Sequence, residues 1–180
     1  MKKIMMTLAA IAVAATMNAQ VYVGGGVGFS TASNDGNSTT SFKIIPEIGY
    51  NLDENLAVGI SFGYAQNETK LNGVKTTNKE FEISPYLRYT FLKLDRVNVF
   101  FDGGLTYNHQ DNAGTKINSF GIGIKPGVAV NLNEKLSFVT HFGWLGYTNS
   151  KVDVDGAKAT NSFGLDLDGR NLSFGLYYNF

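Results

Sequence analysis

The chain has two histidines, the side chains that change charge near neutral pH. What chemistry they could do depends on their neighbours. His109 stands two residues from Asp111 and ten from Ser119. An acyl-transfer site needs those residue types, a nucleophilic serine close to a histidine that a carboxylate orients. Ten residues of separation specify no contact, and His141 has no serine within two positions. No catalytic centre is read from either. Asp153-Val154-Asp155-Gly156 matches a fragment of a calcium loop but lacks the further ligands and the distal Glu, so an exposed turn is expected. With no cysteine there is no disulfide and no lipid-carrying thiol. No metal or cofactor site is expected.

A different constellation emerges from parity. From Leu56 the chain alternates: Leu56, Val58, Ile60, Phe62 and Tyr64 on one face, Ala57, Gly59, Ser61, Gly63 and Ala65 on the other. A strand sends successive side chains to opposite faces, so one face is large and apolar and the other small. The pattern recurs in segments containing Val21–Phe29, Phe42–Tyr50, Phe81–Phe91, Val97–Tyr107, Phe120–Val130, Leu136–Trp144 and Leu172–Phe180. Eight segments result, each near the ~9–11 residues that a tilted membrane strand needs. Lys43, Glu47, Glu82, Arg88, Asp102, Lys125 and His141 all fall opposite the large apolar face. In a closed cylinder they would share the lumen. One reading is a proton-responsive or ion-conducting plug. The preferred reading is a satisfied polar filling of a barrel too narrow for an open channel, because buried charges must pair.

Small interior residues suit a narrow barrel whose outer face meets lipid. Phe29, Phe42, Tyr50, Tyr64, Phe81, Tyr89, Tyr107, Phe120 and Trp144 lie near segment ends on the apolar face, as interfacial girdles do. The expected fold is all-β, an eight-stranded antiparallel up-and-down transmembrane β-barrel. Gly24-Gly25-Gly26 precedes no helical pattern, so it is no phosphate cradle. Its small face would leave room for Tyr86, Phe100 or Tyr177 across the lumen.

Composition agrees: aromatics reach 13%, with 21 glycines and 3 prolines, and charged residues only 17%. Lys2 and Lys3, the apolar run Ile4–Thr16 and Met17-Asn18-Ala19 have the layout of a secretory signal. Residues 1–19 are therefore expected to be cleaved, leaving 20–180 as one barrel domain with 13 basic against 15 acidic residues. That balance is not the basic footprint of a nucleic-acid binder.

Pro46-Glu-Ile-Gly-Tyr-Asn-Leu, Pro85-Tyr-Leu-Arg-Tyr-Thr-Phe and Pro126-Gly-Val-Ala-Val-Asn-Leu align at spacings of 39 and 41 residues. Each leads into a short polar turn at 53–55, 93–96 or 133–135, which makes the hairpin the repeated unit. Each proline should mark a bulge or an open ladder bond. Residues 31–41, 66–79, 108–118 and 148–162 read as longer polar loops, the first of them flexible by composition. Short turns alternating with long loops predict periplasmic turns, outer loops and both termini in the periplasm. Phe163, Leu165 and Leu167 have the opposite parity to Leu172 and Phe174, which predicts a bulge at Asp168-Gly169-Arg170.

The segment Phe174-Gly-Leu-Tyr-Tyr-Asn-Phe180 carries the most specific likeness. With the eight-segment pattern over residues 20–180, the chain resembles the small OmpA/OmpX-like outer-membrane β-barrel family in its Bacteroidetes form. The resemblance implies a bacterial outer-membrane location among lipid and lipopolysaccharide. It also implies that Phe174, Leu176, Tyr178 and Phe180 are a signal read by the barrel assembly machinery. It fixes no single activity, since fold is not function. The expectation is a structural, envelope-integrity or surface-interaction role, with outer loops free to meet a ligand. A narrow pore or ligand-binding barrel is the alternative, and a lipid-modifying enzyme a more distant one.

Overall fold

A computed structural model describes residues 20–34, 37–166 and 173–180. Ten strand segments follow in order: β1 (Val21–Asn34), β2 (Asn37–Asn51), β3 (Leu56–Leu71), β4 (Val74–Lys93), β5 (Val97–Asn112), β6 (Thr115–Asn131), β7 (Leu136–His141), β8 (Trp144–Val152), β9 (Thr160–Asp166) and β10 (Ser173–Asn179). β1 to β6 form an antiparallel meander, and β6 pairs with both β7 and β8. β7 pairs with β10, β8 with β9, and β10 returns to β1. β7 and β8 are therefore two halves of one stave, and β9 and β10 of the next. The result is the expected closed antiparallel barrel of eight staves. The proposed signal segment lies outside the described residues.

The side chains are arranged inside out relative to a water-soluble fold. On β3, Val58, Phe62 and Tyr64 are exposed while Ala57 and Gly63 are buried. The large residues have lipid as their solvent, so their exposure carries no penalty there. Aromatics close the apolar band at both ends. Above, Phe29 faces Phe42, Tyr64 faces Phe81, Tyr107 faces Phe120 and Tyr147 faces Phe163 across adjacent strands. Below stand Tyr50, Tyr89, Phe101 and Tyr178, with Phe91 stacked on Phe101 at 4.8 Å. Phe42 and Tyr50 are eight residues apart, about 27 Å along a strand. A tilt of about 40° reduces this to about 21 Å, near the ~25 Å apolar band of such barrels.

The prolines act where their missing N–H predicts. The β2–β3 ladder runs from Ile44–Tyr64 to Glu47–Ser61, passing over Pro46. The β4–β5 ladder runs from Ile83–Tyr107 to Tyr86–Gly104, passing over Pro85. At Pro126 the consequence is larger. The partner of β6 changes there from β7, ending at Gly127–His141, to β8, resuming at Ile124–Leu145. One extra residue enters the seventh stave at Phe142–Gly143, and Gly143 takes φ +83°, a left-handed conformation that glycine adopts without strain. A one-residue slip reverses facing. Trp144 accordingly turns into the lumen, its indole against Gly123 and Gly146, and does not join the outer girdle as its parity with Phe138 suggested.

Three of the four expected loops are corrected too. The strands continue over residues 31–34 and 37–41, and through 66–79 and 108–118 up to their turns, as hairpin arms beyond the upper aromatic belt. Two of them end in two-residue turns, Asn72-Gly73 and Ala113-Gly114, with all four residues at positive φ. That conformation matches the twist of the paired strands. The long span 148–162 is strand to Val152, then irregular to residue 159. At the other end the turns are tight and repeated. Asp53 Oδ1 accepts the N–H groups of Asn55 and Leu56, and Asn133 Oδ1 those of Lys135 and Leu136, at 2.7–2.9 Å. Phe163, Leu165, Phe174 and Leu176 are all exposed despite their opposite parity. The bulge expected between them at 168–170 falls outside the described residues.

Candidate functional site

A charged cluster lies inside the barrel between two chambers of the lumen. β4 projects Arg88 inward from between Leu87 and Tyr89, and its cross-strand neighbour on β5 is Asp102. The guanidinium donates from Nε to Asp102 Oδ1 at 2.7 Å and from Nη2 to Oδ2 at 2.8 Å. Such a bidentate pair has the geometry of strong, directional charge-assisted bonds. Nη2 also lies 3.5 Å from Glu47 Oε1. His141, from β7, shares Asp102 Oδ2 through Nε2 at 2.8 Å.

Tyrosines complete the cluster. Tyr86 Oη donates to Glu47 Oε1, and Tyr177 Oη donates to Glu47 Oε2 at 2.7 Å. Tyr22 and Tyr86 share a bond between hydroxyls at 2.6 Å. Arg88 also lies 4.1 Å from the centroid of the Phe100 ring, a cation–π contact, with Tyr22, Tyr86 and Tyr177 within 6 Å of it. Phe100 is 1% exposed and meets His141 edge-on at 5.4 Å. Each ring rests over a glycine of a neighbouring strand: Tyr22 over Gly49, Tyr86 over Gly59, Phe100 over Gly127 and Tyr177 over Gly24. A Cβ at any of the four glycines would come within 2.1–2.6 Å of the ring. The small residues of the inner face are therefore the seats of the large ones.

Of the seven residues expected in the lumen, Glu47, Arg88, Asp102 and His141 meet directly. Glu82 accepts from Ser84 Oγ at 3.1 Å, and Ser84 also bonds Thr106 Oγ1 at 2.9 Å. Lys43 and Lys125 face the space above the cluster, without an ion pair among the described residues. That space, about 290 Å³, is also lined by Glu82, His141 and Trp144. Below the cluster a chamber of about 730 Å³ opens towards the short turns, lined by Asn51, Asn98, Asn131 and Ser137. Charge alone pointed to the carboxylates and Arg88. Parity turns Tyr86 and Tyr177 inward, but charge does not single them out as the hydroxyls that bond Glu47.

The candidate triad does not assemble. His109 lies on β5 rather than in a loop, and its Nδ1 is 2.6 Å from Asn118 Oδ1. Ser119 bonds Ser150, and Asp111 Oδ1 accepts the N–H of Gly114 in the hairpin turn. Asp153–Gly156 forms an exposed bend and turn, and among the described residues no group of three His, Asp or Glu side chains could hold a metal. Along β10, Phe174, Leu176 and Tyr178 point outward. Phe180 follows the strand, donating its N–H to Val21 O at 3.1 Å and packing edge-on to Tyr178.

A closed barrel with an apolar outer band, two aromatic belts and a polar interior is the architecture of an integral outer-membrane protein. The family model described as outer membrane protein beta-barrel domain matches residues 4–180, and the chain belongs to that family. Among solved structures it is similar to Neisserial surface protein A (NspA), with 20% identity, TM-score 0.56 and coverage of 89% of this chain and 97% of the other. It is also similar to the outer membrane protein OprG from Pseudomonas aeruginosa, with 16% identity, TM-score 0.52 and coverage of 89% and 93%. At these identities the likeness is one of fold. No curated protein sequence matches the chain.

Proposed function

We propose that this protein is a non-conducting, non-catalytic barrel of the bacterial outer membrane that contributes to envelope integrity and presents its long hairpins at the cell surface. The observation that carries the reading is the cluster at mid-lumen. Arg88, Glu47, Asp102, three tyrosines and Phe100 span the section between the two chambers, and their hydrogen bonds hold them there. Opening a path would strand buried charges. In planar bilayers the purified protein should give no discrete conductance steps, and reproducible single-channel steps would overturn the reading.

The finer kinship with OmpA/OmpX-like barrels, export through residues 1–19 and recognition of the Phe174–Phe180 strand by the assembly machinery belong to the same proposal. So does the orientation, with both termini and the tight turns in the periplasm. A second reading, a small-ligand barrel, is favoured by the upper chamber, where Lys43, Lys125 and Trp144 surround about 290 Å³.

A further inference from the structure

The chamber above the Arg88 cluster is walled by charges of both signs from different sides of the barrel. Lys43 lines it from the second stave (β2), Glu82 from the fourth (β4), Lys125 from the sixth (β6) and Trp144 from the seventh (β8). In a ring of eight staves the second and sixth stand opposite each other, with the fourth midway between them. Eight strands about 4.8 Å apart and tilted by about 40° enclose a radius of about 8 Å. A lysine side chain spans much of that radius, so both ammonium groups can reach one solute near the barrel axis. The volume of about 290 Å³ lies at the lower end of small-molecule sites, which begin at about 300 Å³.

The other charged groups facing this space are already engaged. Glu47 accepts from Tyr86 and Tyr177 and lies beside Arg88. Asp102, the cross-strand neighbour of Lys125, gives both oxygens to Arg88 and shares one with His141. One inward position further up β4, Glu80 accepts from Asn108 Nδ2. Lys43, Lys125 and Glu82 remain, none with an ion pair among the described residues, and Glu82 accepts from Ser84 Oγ. The lumen thus offers unpaired charge of both signs around one cavity, without a large excess of either. Its apolar wall is also built. The Trp144 indole lies across Gly123, Gly146 and Gly164, which the register sets side by side on three staves. A Cβ at either of the first two would come within 2.5–2.7 Å of the ring. Trp144 and Ile45 both line the chamber. Separated, unpaired charges beside an apolar wall complement a solute that carries an ammonium, a carboxylate and an apolar side chain.

We infer that the upper chamber binds a small zwitterion of the amino-acid class, with Lys43 and Lys125 on its carboxylate, Glu82 on its ammonium and Trp144 against its side chain. The inference deepens the second reading given above, the small-ligand barrel, and rests on it. Binding of this kind requires no conduction, because the Arg88 cluster lies beneath the site.

The test uses the refolded full barrel and three probes of one shape: L-leucine, isopentylamine, which lacks the carboxylate, and 4-methylpentanoate, which lacks the ammonium. Emission of Trp144, the single tryptophan, reports occupancy of the chamber, and titration calorimetry gives the affinity. With the wild type, L-leucine should shift the emission saturably and bind about tenfold more tightly than either other probe, as the loss of one charge-assisted hydrogen bond implies. Glu82→Gln should weaken L-leucine about tenfold and leave 4-methylpentanoate no weaker. Combined Lys43→Gln and Lys125→Gln should weaken L-leucine and leave isopentylamine no weaker. Neither change strands a paired charge, so both proteins should fold, and the wild-type comparison stands without them. Equal affinity for the three probes, heat of binding without a change in Trp144 emission, or a variant that weakens all three alike would overturn the inference. A response to the amine or the acid but not to L-leucine removes the zwitterion and leaves a ligand chamber. No response to any of the three removes the small-ligand reading with it.

Discussion

Removing Arg88 tests the lumen most directly. In Arg88→Met a side chain of similar length remains, but Asp102 loses both bonds of its bidentate partner and Glu47 loses its ion-pair partner among the described residues. The Arg88 side chain is 11% exposed, and those of Asp102 and Glu47 are 8% exposed. Water therefore cannot replace the guanidinium without rearrangement. Breaking a buried pair by deleting one partner costs about 3–5 kcal/mol, chiefly because a charge is left uncompensated. At ~2–4 °C per kcal/mol for a domain of this size, the melting temperature in detergent should fall by roughly 10 °C. Adding Glu47→Gln and Asp102→Asn should return most of the loss, since no unpaired charge then remains. Thermal melts followed by circular dichroism on the three proteins decide the matter. An unchanged melt for Arg88→Met, or a triple variant less stable than the single one, would refute the argument that pairing holds the plug together.

Four further expectations follow from the packing and the facing. Gly127→Ala sets a Cβ 2.4 Å from the Phe100 ring and should destabilise by about 1–3 kcal/mol, whereas Gly103→Ala, with nothing within 4 Å, should be close to neutral by the same melt. Trp144, the single tryptophan, should escape quenching by brominated lipid chains. Strong quenching would place it on the lipid face after all. Asn133→Ala removes the acceptor for two turn N–H groups and should cost about 1 kcal/mol in chemical denaturation. Phe180→Ala keeps the backbone bond to Val21 and should refold normally in detergent. If the terminal strand is an assembly signal, the amount of folded barrel in outer-membrane fractions of producing cells should fall several-fold, and an undiminished yield would remove that role.

The residues by themselves determine the barrel because a strand has a period of two and lipid demands an apolar face. Leu56–Ala65 alternates large with small strongly enough to fix both the strand and its facing. The repeated Pro-led hairpins fix the order of the staves. Lumen residency of Arg88, Asp102, Glu47 and His141 follows from the same parity. What parity cannot supply is a change in its own phase. Nothing in the local sequence at Phe142-Gly143 distinguishes a smooth strand from one with an extra residue. Pro126 on the adjacent stave interrupts the ladder there, and only the pairing of β6 with both β7 and β8 reveals the slip that carries Trp144 inward.

Contacts between distant residues lie equally beyond the sequence. Tyr177 reaches Glu47 over 130 positions of chain, and each ring takes a glycine on a neighbouring strand as its seat. Those partners are chosen by the stagger of a closed sheet, and closure is a property of the whole barrel.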